Sequence, residues 1–558
     1  MRIGRRHLIL GTITNVGLAG LLPGCSSDDG PPAPTDAGTP GPQLGPLPVD
    51  GATFAHGVAS GDPLADRVIL WTRVTTADAA PVTVQWVVTS DPGLATVVAS
   101  GEVTASADAD FTVKVDAAGL AAGTTYFYAF AVAGKGRSVV GRTRTLPVGD
   151  VARLRLAMTS CANYNNGYFN AYARIAERAD LDVWIHLGDY IYEYADGVYG
   201  AIASERPLVP ASEIVSLEDY RKRYAHYRTD ADLQEIHRQH PIIVVWDDHE
   251  TANDSWKGGA ENHRPEQGDW EARKVAATRA FLEWLPVRVT SADLPPKIWR
   301  AFSFGNLMDL LMLDTRLLGR DEQVGDTDPV SGTADKGTPE QWADPNRELL
   351  GQEQEAWLKN ELTASKGRST TWRFLGNQVI FSPTRDPRDR KPVTTDFWDG
   401  YQATRTRLFE HLASNAIGNL VILTGDIHTS WAMDVAPDPF DPAKYDPATG
   451  QGAVAVEIVG PSVTSQGLEG DPLASAAAGL LKGANPHLKW NEVTRKGYVL
   501  VDVTRERVQA EWYFVADHKT RTASEELAAI FACASGAPRL VAGDAATAPK
   551  PDAPPRAP

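Results

Sequence analysis

Short alternating runs of apolar and polar residues dominate the chain between Phe54 and Pro147. These runs are rich in β-branched and aromatic residues, which is typical of strands with one buried face. Glycine or Asp-Pro-Gly turns separate them, and the clearest runs cover residues 68–74, 82–88, 112–115 and 126–132. About seven strands in such a span predict a β-sandwich of immunoglobulin or fibronectin type. We assign this domain to residues 51–148 and expect it to form one wall of a cleft in a larger domain.

The pattern changes after Val151, where near-continuous apolar runs replace the alternating ones. A run of this kind marks a strand buried on both faces, as in parallel sheets. A helical stretch over residues 169–178 lies between the first two runs, and this order predicts a right-handed parallel βαβ unit. The runs cover residues 154–160, 181–187, 241–246 and 420–424. The sequence therefore predicts an α/β domain over residues 151–540.

The N-terminus has the features of an export leader. Arg5 and Arg6 precede a weakly apolar stretch that ends at Leu22-Pro-Gly-Cys25, which resembles a twin-arginine signal joined to a lipoprotein cleavage box. We expect residues 1–25 to direct export to the periplasm or cell surface, with a lipid anchor at Cys25. An ordinary leader cleaved elsewhere is the alternative. Residues 26–50 and 541–558 are rich in Pro with Gly or Ala, and we expect both segments to be disordered.

Composition narrows the function further. The 558-residue chain has a formal net charge of −17, which repels nucleic acids and argues against a sequence-specific nucleic-acid partner. The same charge repels phosphate esters, so a phosphatase of this composition needs local positive charge. Three cysteines, Cys25, Cys161 and Cys533, are too few for a disulfide scaffold. We expect a monomer in which Cys533 is a buried structural thiol, a disulfide to Cys161 being the alternative.

Metal-binding residue types directly follow the four buried runs. In open α/β sheets, ligands bind beyond the carboxyl ends of the strands, so these side chains are expected to meet in one site. Crowded carboxylates repel one another, and multivalent cations relieve that repulsion. Bound cations would also give this acidic protein the positive charge that a phosphate needs. The residues are Cys161, Asp189, Asp248, His249, Asp426 and His428.

Each of these residues also has an ordinary structural explanation. An Asp after a Gly is often a turn former, His249 alone is compatible with a core histidine, and Cys161 alone with a small buried hydrophobe. The repetition at four strand ends favours a metal site. Other catalytic designs do not fit, because the stretch from His249 to Asn253 lacks the second histidine of an HExxH helix, and the sequence contains no Walker A loop or G-x-S-x-G elbow.

Longer motifs in the same order resemble the PhoD-like alkaline phosphatases between Phe54 and Asp517. They include Gly188-Asp-Tyr-Ile-Tyr-Glu193, Trp246-Asp-Asp-His-Glu-Thr-Ala-Asn253 and Gly425-Asp-Ile-His428, with further matches at 54–62, 160–161, 376–378, 497–503 and 512–515. The resemblance implies a calcineurin-like metallophosphoesterase sandwich behind the small β-sandwich domain. It also implies export by the twin-arginine route and hydrolysis of phosphate monoesters and diesters, with small-molecule or lipid esters as substrates.

The resemblance further implies a cofactor of Fe(III) with one or two Ca(II) ions rather than a plain Zn(II) site. Thiolate, phenolate and imidazole suit iron, whereas carboxylate and amide oxygens suit calcium. Carried over to this sequence, the implied ligands are Cys161, Tyr192 and His428 for iron, Asp189 as the bridge, and Asp248, Asn253 and Asp426 for calcium.

The expected reaction is in-line attack on phosphorus by a metal-bound hydroxide. His249 is the candidate that protonates the leaving group or positions the phosphate, and orientation of a metal ligand is its structural alternative. Arg316 and Asn377 are candidates for gripping phosphate oxygens, unless they are ordinary hydrogen-bonding residues. Two insertions rich in charge and turn formers, residues 196–235 and 319–350, are candidate lids.

Two other functions fit parts of this pattern. A phospholipase D-type phosphodiesterase would use the same metal site on a lipid diester. A surface-anchored, non-catalytic binding protein would use the β domain to dock a partner and its metals only for structure. The complete ligand set argues against the second alternative, because such a site should hydrolyse esters.

Overall fold

Seven strands form the N-terminal part of the chain, as the alternating pattern predicts. The computed structural model describes residues 42–200, 205–289, 295–325 and 335–558. The strands are β1 (Val58–Gly61), β2 (Arg67–Arg73), β3 (Val82–Thr89), β4 (Val97–Ala105), β5 (Thr112–Ala118), β6 (Thr125–Val132) and β7 (Gly141–Arg144). One layer has the order β4-β3-β6-β7, and the other contains β1, β2 and β5. Buried side chains from both layers, among them Leu70, Val88 and Tyr128, share one core, which confirms the β-sandwich.

The remaining elements belong to the α/β part. Its strands are β8 (Arg153–Thr159), β9 (Val183–His186), β10 (Ile242–Val244), β11 (Arg300–Phe304), β12 (Met308–Met312), β13 (Trp372–Gly376), β14 (Leu420–Thr424), β15 (Ser430–Val435), β16 (Ala455–Val459), β17 (Leu488–Glu492), β18 (Gly497–Thr504), β19 (Arg507–Val515), β20 (Glu525–Ala534) and β21 (Ala537–Ala542). Its helices are α1 (Asn170–Ala176), α2 (Leu217–Tyr227), α3 (Ala231–Gln239), α4 (Trp270–Trp284), α5 (Pro339–Trp342), α6 (Gly351–Gly367), α7 (Gln402–Ser414) and α8 (Ala474–Ala484). The four predicted apolar runs correspond to β8, β9, β10 and β14, and the predicted helix corresponds to α1.

Two sheets pack against each other in the α/β part. The first has the strand order β21-β20-β19-β18-β8-β9-β10-β1-β2-β5, and the second has the order β11-β12-β13-β14-β16-β15-β17. β8, β9 and β10 are parallel neighbours in the first sheet, as are β12, β13, β14 and β16 in the second. Apolar side chains of both sheets, including Ile185, Leu310 and Leu423, belong to one core. The predicted α/β sandwich is therefore confirmed.

The β-sandwich and the α/β part share a sheet. β1 extends the first sheet because Gly61 pairs in parallel with Ile242 of β10, and β2 and β5 follow outward. Just beyond β1, Asp62 Oδ1 forms an ion pair with Arg300 Nη2 of β11 at 2.7 Å. These contacts hold the β-sandwich against the edge of the α/β part.

The prediction of a disordered C-terminal tail is wrong for residues 541–558. Lys550 forms an ion pair with Asp182. Ala557 is buried, and its backbone N–H donates to Gln239 Oε1 at 2.9 Å. The Ala- and Pro-rich composition gave no sign of this order, because backbone groups and charged partners hold the tail, rather than an apolar stripe of its own.

The remaining sequence predictions about chain organisation have mixed outcomes. The predicted leader and residues 26–41 of the predicted linker lie outside the described residues, and Leu44 in the rest of the linker is buried. The first candidate lid contains α2 and most of α3, whose buried side chains include Leu233 and belong to the core, and both candidate lids include residues that are not described. Cys161 and Cys533 are both buried and free, so the alternative disulfide is wrong. Among the described helices, none has the length and apolar character to cross a membrane.

Candidate metal centre

The strand ends bring acidic, histidine and cysteine side chains into one continuous row. The row consists of three groups, and within each group the ligand atoms lie within 4.8 Å of one another. Asp189 belongs to the first two groups and Asp248 to the last two. The groups are Cys161, Asp189 and His428; then Asp189, Asp248 and His249; then Asp247, Asp248 and Asp426. The structure thus places five of the seven predicted metal ligands in these groups.

Tyr192, another predicted ligand, adjoins the first group through its phenol oxygen. Tyr192 Oη donates to Asp189 Oδ2 at 2.8 Å and lies 3.1 Å from His428 Nε2. Burial and the neighbouring Asp189 carboxylate raise the pKa of Tyr192 well above its usual value. A phenolate at this position therefore needs a cation beside it.

The turns that present these residues have left-handed backbone conformations. Positive φ angles occur at Cys161 (62°), Asp189 (55°), Asp426 (65°) and His428 (58°). This conformation costs a non-glycine residue about 1–2 kcal/mol. Such outliers persist where the surrounding fold imposes them, and they concentrate at functional sites.

Burial makes the carboxylates of the row unstable as anions unless a positive charge compensates them. It raises the pKa of Asp189 to about 7 and the pKa values of Asp247 and Asp426 well above their usual range, and neighbouring carboxylates add to the effect. Asp189 Oδ1, Asp247 Oδ2 and Asp248 Oδ1 are buried without a hydrogen-bond partner among the described residues. Unpaired buried acceptors are costly and rare. The donor set therefore fits bound cations, with oxygen ligands at one end and thiol, phenol and imidazole at the other.

Arg316 lies beneath the acidic end of the row and is fully buried. Its Nε donates to Asp247 Oδ1 at 2.5 Å, and its two Nη atoms donate to Asp396 and Asp426, each at 2.8 Å. Although burial opposes ionisation, the charges of Arg316 and His249 lower the pKa of Asp248 to about 2. These contacts favour a role in holding the carboxylates in place, and phosphate binding by Arg316 stays a prediction.

The side chains of the two predicted asparagines form hydrogen bonds with residues outside the three ligand groups. Asn377 is fully buried; its Nδ2 donates to Thr424 Oγ1 at 3.1 Å, and its Oδ1 accepts from Trp398 Nε1 at 3.1 Å. These bonds favour a structural role for Asn377. The amide of Asn253 is half-buried, and its Nδ2 lies 3.4 Å from Glu261 Oε2. Phosphate binding by Asn377 and calcium binding by Asn253 stay predictions.

His249 forms a buried pair with Glu193. Its Nδ1 lies 2.7 Å from Glu193 Oε2, and the other oxygen of this carboxylate accepts from the backbone N–H of Asn253 at 2.7 Å. Burial disfavours the imidazolium, but Glu193, Asp248 and Asp189 outweigh it and raise the pKa of His249 well above its usual value. In the metal-free chain these charges favour the imidazolium, and the contact with Glu193 holds the ring of His249 in a fixed orientation within the row.

Sequence reasoning gave no role to Asp247, Glu250 and Glu193. Glu250 holds the turns after β9 and β10 together, because its Oε2 accepts from the backbone N–H groups of Asp189 (3.0 Å) and Asp247 (2.8 Å). Its Oε1 accepts from the backbone N–H of Tyr190 at 2.5 Å. The acidic run that follows β10 is the sequence signal for Asp247 and Glu250, and Glu193 lies in the motif that follows β9.

Gly188, which precedes Asp189, lies where the turn after β9 closely approaches the turn after β10, and a substitution there tests whether this approach is required. Gly188 has a φ of 104°, and a Cβ there would overlap the backbone nitrogen and Cβ of Asp247. We expect Gly188→Ala to lower the free energy of unfolding by about 1–3 kcal/mol and to reduce turnover. Gly268→Ala is the matched control, since Gly268 has a φ of 99° but nothing lies within 4 Å of its Cβ position. Equal losses in thermal melts of both variants would contradict a specific role for the Asp247 contact.

The metal-free protein is expected to lose stability as the pH rises from 3.8, the ordinary value for Asp, towards 7. In this window the unfolded chain releases protons that Asp189, Asp247, Glu250 and Asp426 retain in the folded chain, because burial raises their pKa values. Asp248, with a pKa of about 2, changes stability only below this window. Melting temperatures of chelated and metal-loaded protein measure the effect. The same pH dependence of the melting temperature in both forms would contradict the view that bound cations compensate the buried carboxylates.

Comparisons with known proteins agree with this geometry. The family model of the PhoD-like phosphatases matches residues 156–512, and the model of the PhoD-like phosphatase N-terminal domain matches residues 44–147. The chain is 36% identical to alkaline phosphatase D of Bacillus subtilis (strain 168) over 475 residues, which is 82% of this chain and 77% of that protein. A solved structure described as PhoD aligns with a TM-score of 0.80 and 33% identity, over 89% of this chain and 93% of that one.

The two-sheet fold and the row of side chains at its strand ends define a phosphoesterase of the calcineurin-like α/β class. The chain belongs to the PhoD-like phosphatase family. It is therefore a phosphoric ester hydrolase, and the alternative of a non-catalytic binding protein is wrong. The resemblance stated from the sequence motifs is confirmed.

Proposed function

We propose that the chain hydrolyses phosphate monoesters and diesters outside the cytoplasm in a metal-dependent reaction. The observation that carries this proposal is the sharing of ligands, since Asp189 and Asp248 each belong to two adjoining groups. When bound there, cations supply Lewis acidity at the phosphoryl oxygens and a water-derived nucleophile near neutral pH. Their charge also offsets the repulsion between a phosphate ester and a protein of net charge −17.

The two ends of the row differ in chemistry, and we propose Fe(III) at one and Ca(II) at the other. The first end offers the thiol of Cys161, the imidazole of His428 and the phenol of Tyr192, which suit iron. Among the described acidic, histidine and cysteine residues, the other end offers only the carboxylates of Asp247, Asp248 and Asp426. Carboxylate oxygens suit calcium.

His249 is the proposed proton donor to the leaving group. Its Nδ1 is held by Glu193, so Nε2 is the atom that remains for the substrate side of the row. Although burial disfavours the imidazolium, Glu193 lies outside the three ligand groups, and its carboxylate favours a protonated ring by raising the pKa of His249. Arg316 positions Asp247 and Asp426 through two direct hydrogen bonds.

Turnover of p-nitrophenyl phosphate and of bis(p-nitrophenyl) phosphate by the full chain tests the proposal. Metal-loaded protein should hydrolyse both, and chelation should lower both rates by about 10²- to 10³-fold or more, reversibly on return of iron and calcium. Turnover that survives complete removal of metal would overturn metal dependence. Hydrolysis of the monoester alone would overturn the diesterase part of the proposal.

The absorption spectrum tests the iron assignment separately. A phenolate bound to Fe(III) absorbs visible light, so the purified protein should be coloured and Tyr192→Phe should remove that colour. Tyr199→Phe is the matched control, because this phenol oxygen lies 3.3 Å from the other ring nitrogen of His428, Nδ1. A colourless native protein that contains zinc would contradict the assignment.

We further propose that the leader exports the chain by the twin-arginine route and that Cys25 carries a lipid. The motifs at Arg5, Arg6 and Leu22 to Cys25 support this proposal. Replacing both arginines with lysine should leave the full-length precursor in the cytoplasm of a host that has this export route. Cys25→Ala should abolish incorporation of labelled lipid. Normal export of the double lysine variant would contradict the route.

A further inference from the structure

One segment of the chain, residues 462–469, contacts several of the proposed iron ligands from outside; we call it the 462–469 loop. The backbone N–H of Ser465 donates to the backbone oxygen of Cys161 at 3.2 Å. Ser465 Oγ donates to Tyr192 Oη at 2.6 Å. A single residue of the loop therefore holds both the turn that carries the thiol and the phenol oxygen itself.

The next residue of the 462–469 loop orients the histidine of the same group. The backbone oxygen of Gln466 lies 2.6 Å from His428 Nδ1. A carbonyl oxygen only accepts, so this contact places the Nδ1 proton towards Gln466 and leaves Nε2 free for a metal. His428 Nε2 lies 3.1 Å from Tyr192 Oη, so the two atoms are close enough to bind the same metal ion.

An ion pair between a half-buried glutamate and a buried lysine fixes the end of the 462–469 loop. Glu469 Oε2 accepts from the backbone N–H of Gly467 at 2.7 Å and lies 3.1 Å from Lys496 Nζ. Lys496 is only 2% exposed, and its backbone oxygen accepts from Val515 of β19 at 3.0 Å. It immediately precedes β18, which pairs with β8, the strand that leads into Cys161. The lysine is thus anchored to the same sheet as the ligand turn.

We propose that the Glu469–Lys496 ion pair positions the 462–469 loop and thereby sets the metal affinity of the Cys161, Tyr192 and His428 group. This inference rests on the proposed metal centre. Partners that orient a metal ligand from outside commonly change metal affinity or activity by about 10- to 100-fold. Among the described contacts, neither residue of the pair touches Asp247, Asp248 or Asp426, so the effect is confined to one end of the row.

Co(II) titration of the metal-stripped full chain tests the proposal, because a thiolate-to-cobalt charge-transfer band requires a cysteine ligand, and Cys161 is the cysteine that the three described ligand groups contain. We expect Glu469→Gln and Lys496→Met each to weaken Co(II) binding at this group by about 10- to 100-fold. The double variant should lose no more than either single one, since the pair acts as a unit. The double variant also avoids leaving an unpaired buried charge. Calcium affinity, measured by calorimetry, should stay unchanged in all three.

Lys336→Met is the matched control, because Lys336 is also a buried lysine, forms an ion pair with Asp386 at 2.6 Å and contacts none of the row among the described residues. It should bind Co(II) like the unmodified chain. Equal Co(II) binding by the control and by the Glu469 and Lys496 variants would overturn the proposal. A parallel loss of Co(II) and calcium binding would overturn it too, by showing general destabilisation. An unmodified chain that binds Co(II) without a thiolate band would instead overturn Cys161 as a ligand, and with it the proposed centre.

Discussion

Replacing Asp189 with asparagine is expected to lower kcat by about 1,000-fold or more. Asp189 joins the group of Cys161 to the group of Asp248, and its Oδ1 is buried without a partner among the described residues. A neutral amide would neither balance two cations nor offer the same oxygens to both. We therefore expect metal to be lost from both ends of the row, which elemental analysis and steady-state kinetics measure together.

Asp182→Asn is the matched control for this substitution. Asp182 is also buried, but it precedes β9 at the end opposite to Asp189, where its Oδ2 accepts from the backbone N–H of Arg155 at 2.8 Å. Its replacement should lower the melting temperature while metal content and kcat stay at their original values. Loss of only one type of metal in Asp189→Asn would contradict a shared ligand, and full metal retention would contradict any ligand role.

Several residues of the row were predictable, because the hydrophobic pattern shows where a buried strand ends. Near-continuous apolar runs stop where the chain leaves the sheet, and the polar residue that follows lies at the carboxyl edge. That reasoning located Cys161, Asp189, Asp248 and Asp426 together, and the family resemblance added Tyr192. It worked because the position of a parallel strand's end depends mainly on the local hydrophobic pattern.

The hydrophobic pattern could not show which of several consecutive polar residues after a strand belong to the row. Asp247 and Asp248 are consecutive, and the turn after β10 decides which carboxylate oxygens enter the row; both do so. Glu250 turns back to accept three backbone N–H groups, a role set by turn geometry rather than by residue spacing. The positive φ angles at Asp189 and at other residues of the row cannot be read from the hydrophobic pattern either.

The type of a residue indicated which interactions its side chain can make better than it indicated which residues the side chain contacts. A guanidinium group suits phosphate, which makes Arg316 a candidate for substrate binding. In the structure, however, its donors are directed at carboxylates that lie many residues apart in the sequence. The prediction of a disordered C-terminal tail was wrong for a related reason. The contacts of the tail, such as Lys550 with Asp182, depend on charged partners brought near by the fold.

Replacing His249 with asparagine is expected to slow an alkyl phosphate far more than p-nitrophenyl phosphate. A general acid contributes about 10²- to 10⁴-fold to a rate, and it contributes most when the leaving group is a strong base. Nitrophenolate leaves without protonation, so its kcat should fall only slightly. Glu193→Gln should show the same pattern more weakly, because the hydrogen bond at 2.7 Å that orients His249 Nδ1 would be altered.

The ratio of the two rates separates the roles that His249 can have. Proton donation predicts a large ratio, normal metal content and loss of the alkaline limb of the pH profile, where protonated His249 would otherwise become depleted. Phosphate positioning predicts equal losses of kcat/KM for both substrates, since the phosphoryl group is common to them. Orientation of a metal ligand predicts lower metal content, because His249 shares a group with Asp189 and Asp248. Equal losses at full metal content would therefore contradict the proposed proton donor.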